Sequence, residues 1–399
     1  MHTAANAGPG APGSVPPPPS FVAGEPPPAS AAGVAHGVPA PIDDIAALTP
    51  AWLTAALGGV EVAAVASERI GEGEGFASRL YRLRPSYAAG HAGPATLILK
   101  LQSDNAELRK VLNPDVAYRE ARFYRDLAGD VAQPVPDVPY AQFDAARGCC
   151  SILMEDLQGI RFGFEASAAE SAAAMRALGA IHGRFWGDPV LAEPWLQPVA
   201  NTDIDLHWLV GHAIASAEAA GHGNAHLTRA MRVLRPLVAR IAREPGIAPP
   251  VRAHSLCHGD FHRNNSVLQQ DGRFVVFDWQ VLEAGNPLRD VAYWMLTSLT
   301  AEQRRAQQAS LLRTYHAALQ AAGVRGYGRA ALQQDFRNGM LENLVRVYCI
   351  PALVQADPEL LELLRGRVEA ASQDMHTIAV AHLLRAVVGV RDLWRRLAG

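Results

Sequence analysis

The chain has 399 residues, 49% of them hydrophobic, with 36 basic against 39 acidic side chains and a formal net charge of −3. That length exceeds what one hydrophobic core usually serves, so two or more lobes are expected. The near-neutral balance lacks the basic surface that nucleic acids and anionic membranes require, which leaves a nucleotide or small molecule as the ligand class.

The four cysteines, Cys149, Cys150, Cys257 and Cys349, show no zinc-like pair of CxxC spacings, and the adjacent pair does not form a relaxed bridge. Reduced thiols are expected. With no basic-then-apolar leader and no uncharged run of about 18 apolar residues, the expected location is the cytoplasm.

In chain order, residues 1–41 hold 27 Ala, Gly or Pro and a single charge, Glu25, a composition that buries too little apolar surface to offset the entropy of ordering. A disordered tail with polyproline II character is expected there. Order begins near Ile45, where Thr49-Pro50 reads as an N-cap with proline at the first helical position, opening a short helix over Ala51–Leu57 that Gly58-Gly59 ends.

Within an N-terminal lobe that spans residues 42–157, residues 60–157 read as strand-rich with one helix. Val62–Arg69 and Ser78–Leu83 flank the turn Gly71-Glu72-Gly73-Glu74-Gly75, and Thr96–Leu101 is an apolar strand carrying Lys100. A helix follows from Asn113-Pro114 to about Leu127. Val138–Phe143 and Cys150–Met154 then pair, Pro139 restricting the first of them to a sheet edge or a strand start.

From Ser167, where Ser167-Ala168-Ala169-Glu170 forms a capping box, residues 158–399 read as mainly helical. Helices are expected over Leu206–Ala219, Leu227–Arg243 and most of 300–397. The exception is a hairpin in which Ser266–Gln269 and Arg273–Asp278 flank Gln270-Asp271-Gly272. The fold class is α+β and bilobal, an antiparallel β lobe followed by a larger mainly α lobe.

The chemistry-bearing stretch is His258-Gly259-Asp260-Phe261-His262-Arg263-Asn264-Asn265, followed by Phe277-Asp278-Trp279. An acid, an amide five positions later and a second acid at the end of an apolar strand are parts that hold a Mg²⁺-nucleotide and orient a hydroxyl for phosphoryl transfer. Alone, the His258-Gly259-Asp260 triplet fits a turn equally well; Asn265 and Asp278 at their offsets shift the balance to catalysis.

Of the 36 basic residues only Lys100 and Lys110 are lysines, so a lysine kept on an apolar strand suits contact with phosphates, the alternative being a snorkelling surface side chain. Val116, Glu120, Phe123 and Leu127 recur at helical spacing, which puts Glu120 on an apolar face where it needs a partner: Lys100, or else an arginine or the backbone. Gly71, Gly73 and Gly75 serve any tight hairpin, and also a turn whose amides cover phosphates. Ser78 is either a phosphate contact or an ordinary strand serine. His254, His258, His262 and Cys257 match no compact zinc pattern, and His258 is assigned to holding the catalytic loop through backbone hydrogen bonds.

With these residues in place, the chain resembles the aminoglycoside and choline kinase-like phosphotransferases, and within them the ecdysteroid kinase-like branch. Similar to that branch are Leu256 to Asn265, Phe277-Asp278-Trp279-Gln280, Gly73-Glu74-Gly75-Phe76-Ala77-Ser78, Glu120-Ala121-Arg122-Phe123-Tyr124, Met154-Glu155-Asp156-Leu157, Ile181 to Trp186 and Asp290-Val291-Ala292-Tyr293, across roughly residues 45–300. The resemblance implies a bilobal protein-kinase-like fold, ATP and Mg²⁺ as cofactors, and a small-molecule alcohol as the phosphate acceptor. It also implies the roles. Asp260 is the catalytic base or hydroxyl-orienting acid, with His258 beside it in the catalytic loop. Asn265 and Asp278 bind Mg²⁺, Lys100 holds the α- and β-phosphates, and Glu120 positions Lys100. The backbone of Glu155 and Leu157 receives adenine, and Asp290 braces the loop.

Gly259 stands where the protein-kinase H-R-D triplet has arginine, Asp278 is followed by Trp279-Gln280 instead of Phe-Gly, and no A-P-E segment follows, all of which favours a small acceptor over a protein. Residues 301–399 carry 13 Arg against 9 Asp plus Glu, a balance that weighs against a polycationic aminoglycoside. The resemblance to the ecdysteroid kinase-like branch implies instead a neutral or apolar alcohol, sterol-like or polyketide-like, with amino alcohols also open. An antibiotic-resistance phosphotransferase and a catalytically inactive nucleotide-binding scaffold are the alternatives. Nothing in the sequence distinguishes a monomer from a homodimer.

Overall fold

A computed structural model of the chain describes residues 37–71, 78–102, 114–131, 133–160, 162–197, 206–243, 253–353 and 357–384. The expected disordered tail, apart from its last five residues, and the glycine turn beyond Gly71 lie outside the described residues.

The first helix, α1 (Pro50–Ala56), begins where the sequence places it: the Thr49 hydroxyl accepts from the Trp52 amide at 3.1 Å, and Pro50 occupies the first turn, where its missing N–H costs nothing. Five strands follow, β1 (Val62–Ile70), β2 (Ser78–Tyr87), β3 (Leu97–Gln102), β4 (Tyr140–Asp144) and β5 (Cys149–Glu155). They form one antiparallel sheet in the order β1-β2-β3-β5-β4. The outer position of β4 follows from Pro139, which lacks a ladder donor and stands just before its first residue. In register, Lys100 of β3 lies between Leu80 of β2 and Ile152 of β5, so the lysine sits at the centre of the sheet. One sheet face packs with α1 into a core of Trp52, Leu53, Leu83, Leu99 and Leu153.

The helix expected between β3 and β4, α2 (Pro114–Arg122), does not run as regular α-helix to Leu127; Phe123–Leu127 forms a π turn instead. The wider turn still keeps Phe123 and Leu127 on the buried side, 0% and 5% exposed, so the apolar stripe survives the change of pitch.

The remainder is helical: α3 (Ala168–Arg184), α4 (Leu206–Ala219), α5 (His226–Arg243), α6 (Leu288–Thr297), α7 (Ala301–Ala321), α8 (Arg329–Leu353) and α9 (Pro358–Asp374). Ser167 and Glu170 close both bonds of the expected capping box at the start of α3. Two short ribbons are set among the helices. β7 (Ser266–Leu268) and β8 (Phe274–Val276) form the expected hairpin. β6 (Ser255–Cys257) pairs with β9 (Glu283–Gly285), a pairing not expected from the sequence, and fixes both ends of the segment that carries the acidic loop. The described residues belong to one compact unit, and the largest core runs from α2 and β5 into the helices around Phe261, Trp279 and Trp294. Among the described residues no helix is long and apolar enough to cross a membrane.

Candidate functional site

Four separate segments deliver the polar residues of the site. Lys100 leaves the centre of the sheet, and its Nζ lies 2.6 Å from Glu120 Oε2 and 2.7 Å from Asp278 Oδ1. An ammonium has three donors, so one N–H is left for a further acceptor. Burial disfavours the charge on Lys100, but the Asp278 and Glu120 carboxylates outweigh it and hold the ammonium protonated, its pKa above the usual lysine value. Glu120, 2% exposed, feels the reverse: burial pushes its carboxyl up to about 7 against the pull of Lys100, with the Asp278 charge adding to the rise.

Asp278 ends the strand-like run Phe274–Phe277 with φ of 65°, one of two described non-glycine residues in the left-handed region. A constraint of this kind costs on the order of 1–3 kcal/mol and persists only where neighbours impose it. Those neighbours are identifiable. Trp279, fully buried, stacks on Phe123 at 4.0 Å and 14° and lies 4.6 Å from the His258 ring, while the Phe277 amide donates to the Asn265 carbonyl at 3.1 Å. The π turn of α2, the acidic loop and the Asp278 strand are thereby locked together.

In the loop, the Asn265 side-chain nitrogen donates to the Asp260 carbonyl at 2.9 Å and to Asp260 Oδ2 at 3.2 Å. With its nitrogen so engaged, the amide oxygen is the acceptor that the Asn265 side chain still has to offer. One carboxylate and one amide oxygen make a hard, oxygen-only donor set, which fits Mg²⁺, an ion that takes few protein ligands and completes its shell with phosphate oxygens and water. Among the described residues there is no cluster of three His, Cys, Asp or Glu that would hold a metal by itself.

Asp260 is surrounded by donors. His262 Nε2 is 3.4 Å from Oδ2, Arg346 Nη2 is 3.6 Å from Oδ1, and the Tyr293 hydroxyl faces the same carboxylate. Burial alone would raise its pKa; His262, Arg346 and Tyr293 together hold it well below the usual carboxylate range, so Asp260 is an ionised acceptor. His258 is buried, with Nε2 donating to the Phe277 carbonyl at 3.0 Å and Nδ1 accepting from the Asp260 amide at 3.3 Å. Both nitrogens are spent on the backbone, which makes His258 a brace of the loop, as its sequence context suggests. Burial keeps the ring neutral, its pKa lowered.

Beneath the loop, Asp290 is fully buried and accepts from the His258 amide at 2.6 Å and the Gly259 amide at 3.0 Å, with His182 Nε2 at 3.4 Å. Burial works against its charge, but His182, Arg289 and His258 hold its pKa below the ordinary Asp value. The stability this carboxylate contributes is therefore complete above the unfolded pKa of Asp and is lost as pH falls through the lower folded value. Asp290→Ala is expected to cost about 3–5 kcal/mol, since it strips a buried ionic network. Urea unfolding at neutral pH and again near pH 3 checks this: the gap between wild type and variant should shrink in acid.

Of the remaining sequence-derived positions, Glu155 ends β5 with its amide donating to the Asp137 carbonyl at 2.7 Å, and Leu157 joins Val267 and Val275 in a small apolar cluster that Phe277 and Ile160 border. A cavity of about 800 Å³ lies beside this segment, lined by Glu155, Asp156, Gln158, Val267 and Arg273 among others, and not by Lys100, Asp260 or Asp278. Gly71, with φ of +66°, begins the turn between β1 and β2, and Ser78 opens β2 opposite Gln102. Gly73 and Gly75 lie outside the described residues. Arg346 and Tyr293 escape the sequence motifs as side chains of the site; only Tyr293 falls inside a motif, and there without a role.

Residues 212–324 match the model of the ecdysteroid kinase-like family, a span that contains the acidic loop and Asp278 and agrees with the resemblance read from those motifs. No curated protein matches the chain. Similar solved structures include a microcompartment-associated aminopropanol kinase (15% identity, TM-score 0.49, covering 84% of this chain and 97% of that one) and the gentamicin complex of APH(2″)-IIa (15%, 0.48, 82% and 96%). A third is the macrolide 2′-phosphotransferase MphH from Brachybacterium faecium (16%, 0.44, 79% and 95%).

Proposed function

We propose that the chain is an ATP- and Mg²⁺-dependent O-phosphotransferase that moves the γ-phosphate to the hydroxyl of a small-molecule alcohol. The observation that carries this is the convergence of Lys100, Glu120, Asp278, Asn265 and Asp260 from four separate segments into one connected polar array. Phosphoryl transfer needs little covalent help from a protein; it needs phosphates held in place, their charge neutralised and the hydroxyl aimed in line.

Lys100 offers its third N–H to the nucleotide phosphates while Glu120 keeps the ammonium pointed at them. Asn265 and Asp278 supply oxygen ligands, and bound Mg²⁺ would neutralise charge on the transferring phosphoryl group. Asp260, ionised and gripped on both oxygens, accepts a hydrogen bond from the acceptor hydroxyl and turns its lone pair toward phosphorus. The apolar cluster of Leu157, Val267 and Val275 provides a floor suited to adenine, with the backbone at Glu155 and Leu157 at its rim.

The guanidinium of Arg346 beside Asp260 adds positive charge where the acceptor must arrive. This supports a neutral acceptor, sterol-like or polyketide-like, over a polycationic aminoglycoside, which would meet repulsion there. The test is ATP consumption by the purified chain against a panel of sterols, macrolides, amino alcohols and aminoglycosides; consumption with none of them would count against a small-alcohol acceptor. A second measurement separates catalysis from a nucleotide-binding scaffold. Mg-ATP is expected to stabilise the fold by about 2.7 kcal/mol at a hundredfold excess over Kd, and chelating the metal with EDTA should abolish the rise in melting temperature.

A further inference from the structure

The acidic loop contains no arginine at the position before its aspartate, and the backbone explains why. Gly259 has φ of +84°, and a Cβ there would overlap the Val281 carbonyl oxygen and sit 3.0 Å from its carbon. No side chain can extend from this position. The cation that reaches the loop comes instead from 87 residues away: Arg346 Nη1 donates to the Gly259 carbonyl, and Nη2 lies 3.6 Å from Asp260 Oδ1.

How Arg346 is held can be followed along α8. Gly339, Asn343 and Arg346 are spaced four and three apart, so they share one helix face. At Gly339 a Cβ would lie 2.8 Å from the Leu288 carbonyl oxygen, so its absence lets α8 and the start of α6 approach backbone to backbone. One turn on, Asn343 Nδ2 donates to the Arg289 carbonyl at 2.8 Å, which fixes the rotation of α8 against α6. A further turn on, the Arg346 guanidinium lies over the Tyr293 ring at 4.9 Å, and Tyr293 is itself among the groups that keep Asp260 ionised. The flat guanidinium is thus set between an aromatic face and two acceptors, a geometry that the point charge of a lysine reproduces only in part.

Resting on the phosphotransferase reading, we infer that Arg346 is a positioning residue for Asp260: helix α8 supplies the cation that the glycine-bearing loop cannot carry, and this cation sets where the carboxylate points. Because Asp260 acts by aiming a hydroxyl, a displacement of about 1 Å is sufficient to cost roughly 10²-fold in rate without any loss of nucleotide contacts. Arg346 touches neither Lys100 nor Asp278, so the nucleotide half of the site is independent of it.

The experiment uses Mg-ATP hydrolysis by the full chain with water as acceptor, followed with γ-labelled ATP, so that no alcohol need be identified. Arg346→Ala is expected to lower kcat roughly 10²-fold while KM for Mg-ATP and the Mg-ATP thermal shift stay at wild-type values. Arg346→Lys should recover part of the loss. In an Asp260→Asn background the same alanine substitution should cost nothing further, because the group it positions is gone. Wild-type kcat in Arg346→Ala, or an equal fold-loss in the Asp260→Asn background, would overturn the inference. If the alanine variant fails to fold, Arg346→Lys decides: a reduced kcat at unchanged KM supports the inference and an undiminished kcat overturns it. A wild-type chain that is neither stabilised by Mg-ATP nor able to hydrolyse it would instead overturn the phosphotransferase reading itself.

Discussion

Asp260→Asn should reduce acceptor-dependent ATP turnover by roughly 10²- to 10⁴-fold, the usual cost of losing a positioned general base, while Mg-ATP binding survives. The two effects separate because the site has two halves. Lys100, Glu120 and Asp278 make their contacts at 2.6 and 2.7 Å without Asp260, so the phosphate side should stay assembled. The loop should also keep its path, since Asp290 holds it through the His258 and Gly259 amides, and Asn265 retains its bond to the Asp260 main-chain carbonyl. What the amide cannot do is attract a hydroxyl proton with a full negative charge. Steady-state kinetics with the best acceptor, together with a Mg-ATP thermal shift, checks the prediction. Turnover near the wild-type rate would remove Asp260 from its role, and a lost thermal shift would mean that the two halves are not independent.

The parts of the site legible in the sequence are those whose signals are local. Asp260, Asn265 and Asp278 stand at short fixed offsets around a hairpin with its own turn residues. Lys100 is marked by scarcity, and Glu120 by a charge falling on an apolar helical stripe; the ion pair between them is the contact which that misplaced charge demanded. The five-stranded sheet was legible for a similar reason, because each strand is bounded by glycine, proline or a helix cap.

What escaped the sequence depends on distant partners. Arg346 is one of many arginines on helical surfaces, and its partners lie on α6 and in a loop 87 positions earlier. Its only local trace is the spacing of Gly339, Asn343 and Arg346, which acquires meaning once α8 is known to lie against α6. The pairing of β6 with β9 was similarly hidden: Glu283-Ala284-Gly285 carries no β-branched or aromatic residue, and it is a strand because Ser255–Cys257 lies opposite. The π turn at Phe123–Leu127 has no sequence signature at all, yet through the stacking of Phe123 on Trp279 it is part of what holds Asp278 in its left-handed backbone.

Gly259→Ala is the substitution expected to damage both fold and activity while adding only one methyl group. Two costs act together. With φ at +84° the residue occupies a backbone region that an L side chain enters at roughly 1–3 kcal/mol. The new methyl also meets the Val281 backbone, which cannot swing aside like the end of a flexible side chain. Relief requires either Val281 or the loop to move. Val281 sits between Trp279, which shapes the Asp278 backbone, and β9, which is paired to β6, so displacing it disturbs the Asp278 side of the site. Moving the loop instead breaks the amide bonds to Asp290 and the grip of Arg346 on the Gly259 carbonyl. Either route misplaces Asp260 or Asp278, and an error of about 1 Å is worth roughly 10²-fold in rate. Expected together are a melting temperature lowered by several degrees, a destabilisation on the order of 2–4 kcal/mol in urea, and a kcat reduced roughly 10²-fold. An alanine variant with wild-type stability and turnover would show that the loop tolerates a Cβ, and the absence of an arginine beside Asp260 would then need another cause.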